Sequence, residues 1–249
     1  MRCQGVALRS SNLTGFVTLI LSLRSAMLGD AEVVVYKQYH TPGVKRVIAS
    51  GSRDMNRLNI ERQLLEIVGP HERIIGLKKF SEKGLYLERA LSGPLAQYLL
   101  ESGIAPPSIQ QQMTWCREAA EAVAWVHARG VIHCDIQPTN FLVDKNLHLK
   151  LSDFQGKQIS QDGSVLLDGG SGEPCRFYCP RADPFEADIK TDLFALGYGW
   201  YEKARDRFAK YQFPQDALAC SSITLKCWRK EYEPVQELIR DLEAIEKGI

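Results

Sequence analysis

One stretch in the second half of the chain decides the fold: Val131-Ile-His-Cys-Asp-Ile-Gln-Pro-Thr-Asn-Phe-Leu-Val143, followed by Leu149-Lys-Leu-Ser-Asp-Phe-Gln-Gly156. The apolar runs in both segments predict short strands, which places Asp135, Asn140 and Asp153 in loops beside those strands. Carboxylate and amide oxygens suit a Mg²⁺ ion that is bound largely through phosphates. Asp135 is suited to orient an attacking hydroxyl or accept its proton, whereas Asn140 and Asp153 are candidate metal ligands.

The composition around this stretch is that of an ordinary globular protein. The chain has 249 residues, of which 45% are hydrophobic and 24% charged, and this balance excludes a disordered, collagen-like or coiled-coil chain. A net charge of +1 provides no general attraction to nucleic acid or to an anionic membrane. The seven cysteines form neither a disulfide framework nor a paired zinc motif, so we expect a cytosolic or nuclear protein.

The N-terminal region contains a short apolar run at residues 16–23, preceded by Arg2 and Arg9. The run is too short to span a bilayer, and polar residues interrupt its end. We therefore expect residues 1–27 to be a leader, disordered or forming a first strand, and not an export signal.

The chain changes character near residue 90. Before that point the predicted elements are a hairpin at 33–36 and 44–48, a helix at 55–68, and a strand pair at 74–80 and 84–91. After it they are helices at 110–129, 193–208 and 233–245, and short strands at 131–132, 141–143 and 147–151. The segment 157–187 is aperiodic and rich in Gly, Pro and Asp, so we expect a long functional loop. A β-rich first part and a helical second part predict two lobes that share a cleft.

The decisive stretch resembles the signature of protein kinases. His133-Cys-Asp135-Ile-Gln-Pro-Thr-Asn140 is similar to the catalytic loop H-R-D-L-K-P-x-N, and Asp153-Phe-Gln155 to D-F-G. Asn59-Ile-Glu61 resembles the helix with the paired glutamate, and Asp192-Leu-Phe-Ala-Leu-Gly197 resembles the helix that anchors the large lobe. The resemblance is to Ser/Thr protein kinases, in a form similar to divergent fungal kinase-like proteins.

The resemblance implies an α+β, two-lobed fold over residues 28–245. A small β-rich N-lobe with one helix would cover residues 28–90, and a larger, mainly helical C-lobe would cover residues 91–245. The implied cofactors are ATP and Mg²⁺. Asp135 would be the catalytic base, and Asn140 and Asp153 would bind magnesium.

The nucleotide site follows from the same resemblance. Gly29 would belong to the phosphate loop, and the backbone at Glu88 and Ala90 would hold adenine. Glu61 would pair with a strand lysine, for which Lys45 is favoured over Lys37 because a separation of 16 residues from Glu61 suits a strand followed by a helix.

The departures from the family pattern bear on activity. Only Gly29 remains of the glycine-rich turn, Cys134 replaces an arginine, and Gln137 replaces a lysine that would neutralise phosphoryl charge. Gln155 replaces the glycine of D-F-G, although Gly156 follows and can serve the turn. Cys179-Pro-Arg181 lies where A-P-E is expected, so the usual glutamate is missing.

The main hypothesis is a monomeric ATP- and Mg²⁺-dependent kinase of reduced activity that phosphorylates Ser or Thr hydroxyls of a protein substrate. A pseudokinase that scaffolds another protein and binds nucleotide weakly or not at all is the second hypothesis. A small-molecule phosphotransferase is the third, since such enzymes share an H-x-D…N loop. None of these hypotheses includes a nucleic-acid or membrane partner.

Overall fold

The computed structural model describes residues 35–37, 51–81, 84–100, 107–174, 177–183, 186–198 and 221–247. Gly29, Lys45, the predicted strand at 44–48 and the apolar run at 16–23 lie outside these residues. The chain divides into two compact units, one formed by Met1–Leu58 with Leu77–Arg89 and the other by Asn59–Gly76 with Ala90–Ile249. Among the described helices, none combines the length and the hydropathy that crossing a bilayer requires.

The first unit contains an antiparallel sheet of three strands. They are β1 (Val35–Lys37), β2 (Leu77–Ser81) and β3 (Gly84–Leu87), in the order β1-β3-β2. Leu85 and Leu87 alternate with Tyr86 and are buried, which is the period expected of a half-buried strand. The predicted strand pair is therefore confirmed, although both strands are shorter than expected.

Helix α1 (Gly51–Val68) corresponds to the helix predicted at 55–68 and begins four residues earlier than expected. Its second half belongs to the second unit, where Leu64 and Val68 are fully buried. Gly69 ends the helix with a φ of 69°, a conformation that glycine adopts without strain, and its N–H donates to the Leu65 carbonyl at 2.9 Å.

The second unit is built around helix α3. Its helices are α2 (Leu95–Leu100), α3 (Ile109–His127), α4 (Ile189–Tyr198), α5 (Ser221–Trp228) and α6 (Val235–Glu246). The Ser108 hydroxyl accepts the Gln111 N–H and caps α3, whose buried side chains include Met113 and Trp115. Helices α3, α4 and α6 fall within or close to the predicted ranges. Residues 199–208, the rest of the predicted 193–208 helix, lie outside the described residues.

Short strands carry the loops on which the predicted site residues lie. Strands β5 (Phe141–Val143) and β6 (Leu149–Leu151) form one antiparallel pair. Strands β4 (Val131–Ile132), β7 (Lys157–Ile159) and β8 (Val165–Asp168) form a sheet in the order β4-β7-β8. The segment after α1 is joined to β6 by the Ile75 N–H, which donates to the Leu151 carbonyl at 2.9 Å.

The expected long loop at 157–187 is wrong in its first part, because β7 and β8 form a hairpin there. The turn is made by Asp162-Gly163: the Gly163 N–H donates to the Ser160 carbonyl at 3.0 Å, and Gly163 has a φ of 86°. A strand of three or four residues leaves too short an apolar pattern for its period to be recognised, and Val165 is exposed.

Candidate active site

The catalytic loop, residues 133–140, is anchored by a buried carboxylate of α4. Asp192 is fully buried and accepts the N–H groups of His133 and Cys134 at 2.8 and 2.9 Å. The His127 ring donates to the same carboxylate at 2.9 Å. Cys134 has a φ of 62°, which is unfavourable for a residue with a side chain, so the contact with Asp192 holds a strained loop in place.

His133 joins the catalytic loop to the segment that carries Asp153. Its ring N–H donates to the Ser152 carbonyl at 2.9 Å, and its ring packs edge-on against Phe154 with centroids 5.1 Å apart. The Ser152 N–H and hydroxyl both donate to the Asn140 carbonyl, at 2.9 and 2.8 Å. These contacts bring Asn140 beside the residue that precedes Asp153, so the two loops predicted from the sequence lie together.

Two side-chain amides hold the Asp135 carboxylate. Asn140 Nδ2 donates to Asp135 Oδ2 at 2.8 Å and to the Asp135 carbonyl at 2.8 Å, while Gln137 Nε2 donates to Oδ1 at 2.7 Å. Burial raises the pKa of Asp135, and the donors from Asn140 and Gln137 oppose that shift. The nearby Asp153 carboxylate adds to the rise of the Asp135 pKa, which places the two acids within electrostatic range of each other.

The D-F-Q-G segment turns at Asp153 and not at Gln155. Asp153 has a φ of 66°, whereas Gln155 is not left-handed. A Cβ at Gly156 would lie 2.0 Å from the Ile132 carbonyl oxygen, so the close approach between the two strands needs glycine at that position. Gly156 is not left-handed, so it allows this close approach but does not make the turn that was expected of it. Gln155 Nε2 donates to Asp153 Oδ1 at 2.5 Å.

Arg181 stands where the A-P-E pattern has its glutamate, and it forms an ion pair with Glu173. Arg181 makes two parallel contacts with Glu173, at 3.1 and 2.8 Å, and the Glu173 side chain is only 2% exposed. The Lys230 ammonium also donates to the Pro180 carbonyl at 3.2 Å. Glu173 could not be predicted from the sequence, because an ion-pair partner eight residues earlier in an aperiodic segment leaves no local pattern.

A second buried cluster was also missed. Glu118 on α3 is fully buried and accepts from Arg73 at 3.1 Å, from the His148 ring at 2.5 Å and from the Leu149 N–H at 2.8 Å. It thereby joins the segment after α1 to the β5–β6 hairpin that carries the candidate site. The sequence pattern that could have indicated this cluster is Glu118 itself, a glutamate on the otherwise apolar face of α3, because a buried charge needs partners.

The predicted nucleotide residues are described only in part. Glu61 lies fully buried on α1. Glu88 follows β3 and is partly exposed, and Ala90 is buried, with its carbonyl accepting the Gly93 N–H at 3.3 Å. Lys37 ends strand β1, but nothing is described of its side chain. The pairing of Glu61 with either lysine therefore stays a prediction.

The residues of the site fit magnesium. Because Asn140 Nδ2 is occupied by Asp135, the Asn140 Oδ1 atom is the end of that amide suited to a cation. No cluster of three His, Cys, Asp or Glu side chains suited to a metal exists within the described part of the chain. Mg²⁺ is commonly held by one or two carboxylates together with substrate phosphates, and the Asp153 carboxylate with the Asn140 amide oxygen is a donor set of that kind.

Comparison with known proteins agrees with this geometry. Residues 29–206, well over half of the chain, match the family model described as protein kinase domain, and the chain belongs to that family. It is 28% identical over 186 residues to the serine/threonine-protein kinase kin-29 of Caenorhabditis elegans, covering 70% of this chain and 21% of the relative. It is 27% identical over 183 residues to the serine/threonine-protein kinase ULK3 of Xenopus laevis, covering 68% of this chain and 38% of that relative.

A third relative is 3-phosphoinositide-dependent protein kinase B of Dictyostelium discoideum, 32% identical over 127 residues, covering 49% of this chain and 14% of that protein. The chain thus spans well under half the length of these curated relatives. The family establishes a kinase domain, which generally uses ATP and Mg²⁺.

Proposed function

We propose that this domain is an ATP- and Mg²⁺-dependent protein kinase that transfers the γ-phosphate to Ser or Thr hydroxyls with reduced activity. The observation that carries the proposal is the Asp135 carboxylate, held on one oxygen by Gln137 and on the other by Asn140. A carboxylate fixed in this way is oriented before substrate binds, which is the condition for an efficient general base. Its raised pKa also makes it a better proton acceptor than an exposed aspartate.

In the proposed reaction Asp135 orients the substrate hydroxyl and accepts its proton as the oxygen attacks the γ-phosphorus of ATP, while the bond from that phosphorus to the bridging oxygen breaks and ADP leaves with the oxygen. Asn140 Oδ1 and Asp153 would hold Mg²⁺, which would supply positive charge against the transferring phosphoryl group. Gln137 contributes no positive charge there, because its amide is neutral and engaged with Asp135. Loss of one electrostatic contact of this kind lowers the rate by about 10²–10³, and this is the physical reason for proposing reduced activity.

The remaining assignments belong to the same proposal. We assign residues 28–90 to the N-lobe and 91–245 to the C-lobe of a two-lobed fold, with Gly29 in the phosphate loop and Glu88 and Ala90 at adenine. Buried Glu61 is assigned to pair with Lys45, with Lys37 as the alternative. A monomeric cytosolic or nuclear protein that acts on other proteins completes the proposal.

A second candidate is a pseudokinase scaffold. The amide of Gln155 at 2.5 Å from Asp153 Oδ1 favours it, because a proton donor already engages the proposed metal ligand. The two candidates differ in phosphoryl transfer, and the scaffold predicts none.

The test is incorporation of radiolabel from γ-labelled ATP into generic protein substrates, with wild type compared with Asp135→Asn. Asparagine keeps the shape of the side chain and removes the base, so we expect incorporation to fall by about 10²–10⁴. The control is Glu243→Gln, the same carboxylate-to-amide change at an exposed position of α6. Incorporation equal in wild type and Asp135→Asn would contradict the kinase proposal, and none in either protein would favour the scaffold.

A further inference from the structure

Each of the two acids at the candidate site has a glutamine two residues later in the chain. Gln137 follows Asp135 and Gln155 follows Asp153, and each glutamine amide donates to the Oδ1 atom of its acid, at 2.7 and 2.5 Å. The protein kinase pattern has lysine and glycine at these positions. Glycine has no side chain, so the contact between Gln155 and Asp153 is not part of the family pattern.

The backbone on both sides of Gln155 is fixed. Its N–H donates to the Asp153 carbonyl at 3.1 Å, and its own carbonyl accepts the Ser171 N–H at 3.0 Å. The returning strand approaches so closely that a Cβ at Gly169 would lie 2.2 Å from the Gln155 oxygen. The direction in which the Gln155 side chain leaves the backbone is therefore set by the surrounding segment, and the amide is held near Asp153 before any ligand binds.

The Gln155 side chain is not needed to build the turn. The left-handed conformation belongs to Asp153, and the close contact with the Ile132 carbonyl belongs to Gly156. The Gln155 amide donates to Asp153, the proposed metal ligand. We therefore expect its effect in how Asp153 binds a cation.

We propose that Gln155 is a positioning residue that lowers the affinity of the site for a divalent cation. The inference rests on the proposed function, in which Asp153 binds Mg²⁺. A hydrogen-bond donor and a cation draw on the same lone pairs of the carboxylate, so a cation at Asp153 Oδ1 must displace the amide or share the oxygen with it. Mg²⁺ binds at about 2.0–2.1 Å with near-octahedral geometry, which limits the directions from which it can approach an oxygen that already accepts the amide.

The test uses Gln155→Met, which keeps the length and bulk of the side chain and removes the donor. Thermal unfolding is followed at a fixed, saturating concentration of ADP while Mg²⁺ is varied, and the Mg²⁺ concentration that gives half of the stabilisation is the readout. We expect this midpoint to fall about tenfold in the variant, the effect of a charge-assisted hydrogen bond that no longer competes. Binding of Mn²⁺ with ADP, measured from the spin resonance of free Mn²⁺, should tighten in the same direction.

Two further variants separate the metal effect from a change in fold. Gln155→Gly restores the residue of the family pattern and should lower the midpoint as well. Gln158→Met makes the same chemical change on strand β7, outside the site, and should leave the midpoint unchanged. A purely structural role of Gln155 would shift the unfolding temperature without ligands and leave the Mg²⁺ midpoint where it is.

The outcomes distinguish this inference from the proposed function. If the wild type responds to Mg²⁺ and both Gln155 variants have the same or a higher midpoint, the inference is wrong while the nucleotide site stands. If neither wild type nor variants respond to Mg²⁺ with ADP, magnesium binding at Asp153 is wrong and the inference falls with it. A lower midpoint in both variants, with Gln158→Met unchanged, supports the inference.

Discussion

The catalytic loop at residues 133–140 and the activation segment at residues 153–181 are held in different ways. The start of the loop is anchored by a distant buried residue, since Asp192 is more than 50 positions away and accepts from His133, Cys134 and His127. The activation segment pairs with β4 but also has contacts within itself, namely the β7–β8 hairpin and the ion pair between Glu173 and Arg181. The loop therefore has a buried long-range anchor, and the activation segment adds several short-range contacts of its own.

The difference explains where the chain departs from the kinase pattern. Asp192 accepts from three donors at once, which an uncharged or cationic side chain could not do as well, and it matches the pattern. Arg181 has the opposite charge to the glutamate of the pattern, yet its charge is paired because Glu173 lies within the same segment. When one residue of a local ion pair is substituted, a single matching substitution nearby can restore the pair. A substitution at Asp192 would instead disturb the catalytic loop and helix α3 together, because both donate to it.

The largest expected effect is at the distant anchor. Asp192→Asn keeps the size of the side chain but turns one acceptor oxygen into a donor that faces N–H groups. We expect a loss of about 3–5 kcal/mol in the free energy of unfolding, since buried donors are left unpaired. Because whole domains have only about 5–15 kcal/mol of stability, this loss should lower the unfolding temperature by many degrees. Chemical denaturation gives the measurement.

The control for that change is Asp241→Asn on α6, where the carboxylate pairs at the surface with Lys226 and Tyr232. Surface ion pairs contribute about 0–1 kcal/mol, so this variant should unfold nearly as the wild type does. Equal losses in the two variants would mean that Asp192 is not the anchor of the catalytic loop.

An intermediate effect is expected at the ion pair of the activation segment. Arg181→Met leaves the Glu173 carboxylate buried without its main partner, and we expect a loss of about 2–4 kcal/mol. The double change Arg181→Glu with Glu173→Arg restores a pair of the same composition and should recover part of that loss. Unfolding free energies of Arg181→Glu, Glu173→Arg and the double variant, combined with that of the wild type in a thermodynamic cycle, measure the coupling.

No recovery in the double variant would mean that the orientation of the pair matters more than its charge. A loss below about 1 kcal/mol in Arg181→Met, the value of a surface pair, would contradict the view that this contact holds the activation segment. In that case the hairpin alone would account for the order of the segment.

The same difference shows how much the sequence could predict. The sequence predicts the catalytic loop, Asp153 and the anchoring helix because their residues stand at fixed separations within recognisable motifs, and membership of the protein kinase family is confirmed. The β7–β8 hairpin was missed because its strands are three and four residues long and its Val165 and Leu166 are exposed. The partners of Arg181 and of Gln155 were missed because side-chain contacts in an aperiodic segment leave no periodic signal.

The smallest expected effect concerns the hairpin turn at Gly163. Its φ of 86° favours glycine, but nothing lies within 4 Å of the position that a Cβ would take. Gly163→Ala should therefore destabilise the turn only through the left-handed backbone conformation, by about 1 kcal/mol. Because a surface hairpin can open without the rest of the unit, most of this cost should appear as faster amide hydrogen exchange at residues 157–168 and little as a change in global stability.

The matched control is Gly172→Ala, four residues beyond the hairpin, where the φ is not left-handed and the Cβ position is equally open. That variant should exchange as the wild type does. If Gly163→Ala instead lowered global stability by as much as Arg181→Met, the hairpin would unfold only together with the core of the unit. The activation segment would then share the long-range dependence of the catalytic loop, and the contrast between the two regions would be lost. Faster exchange confined to the hairpin supports the view that the activation segment is held by its own contacts.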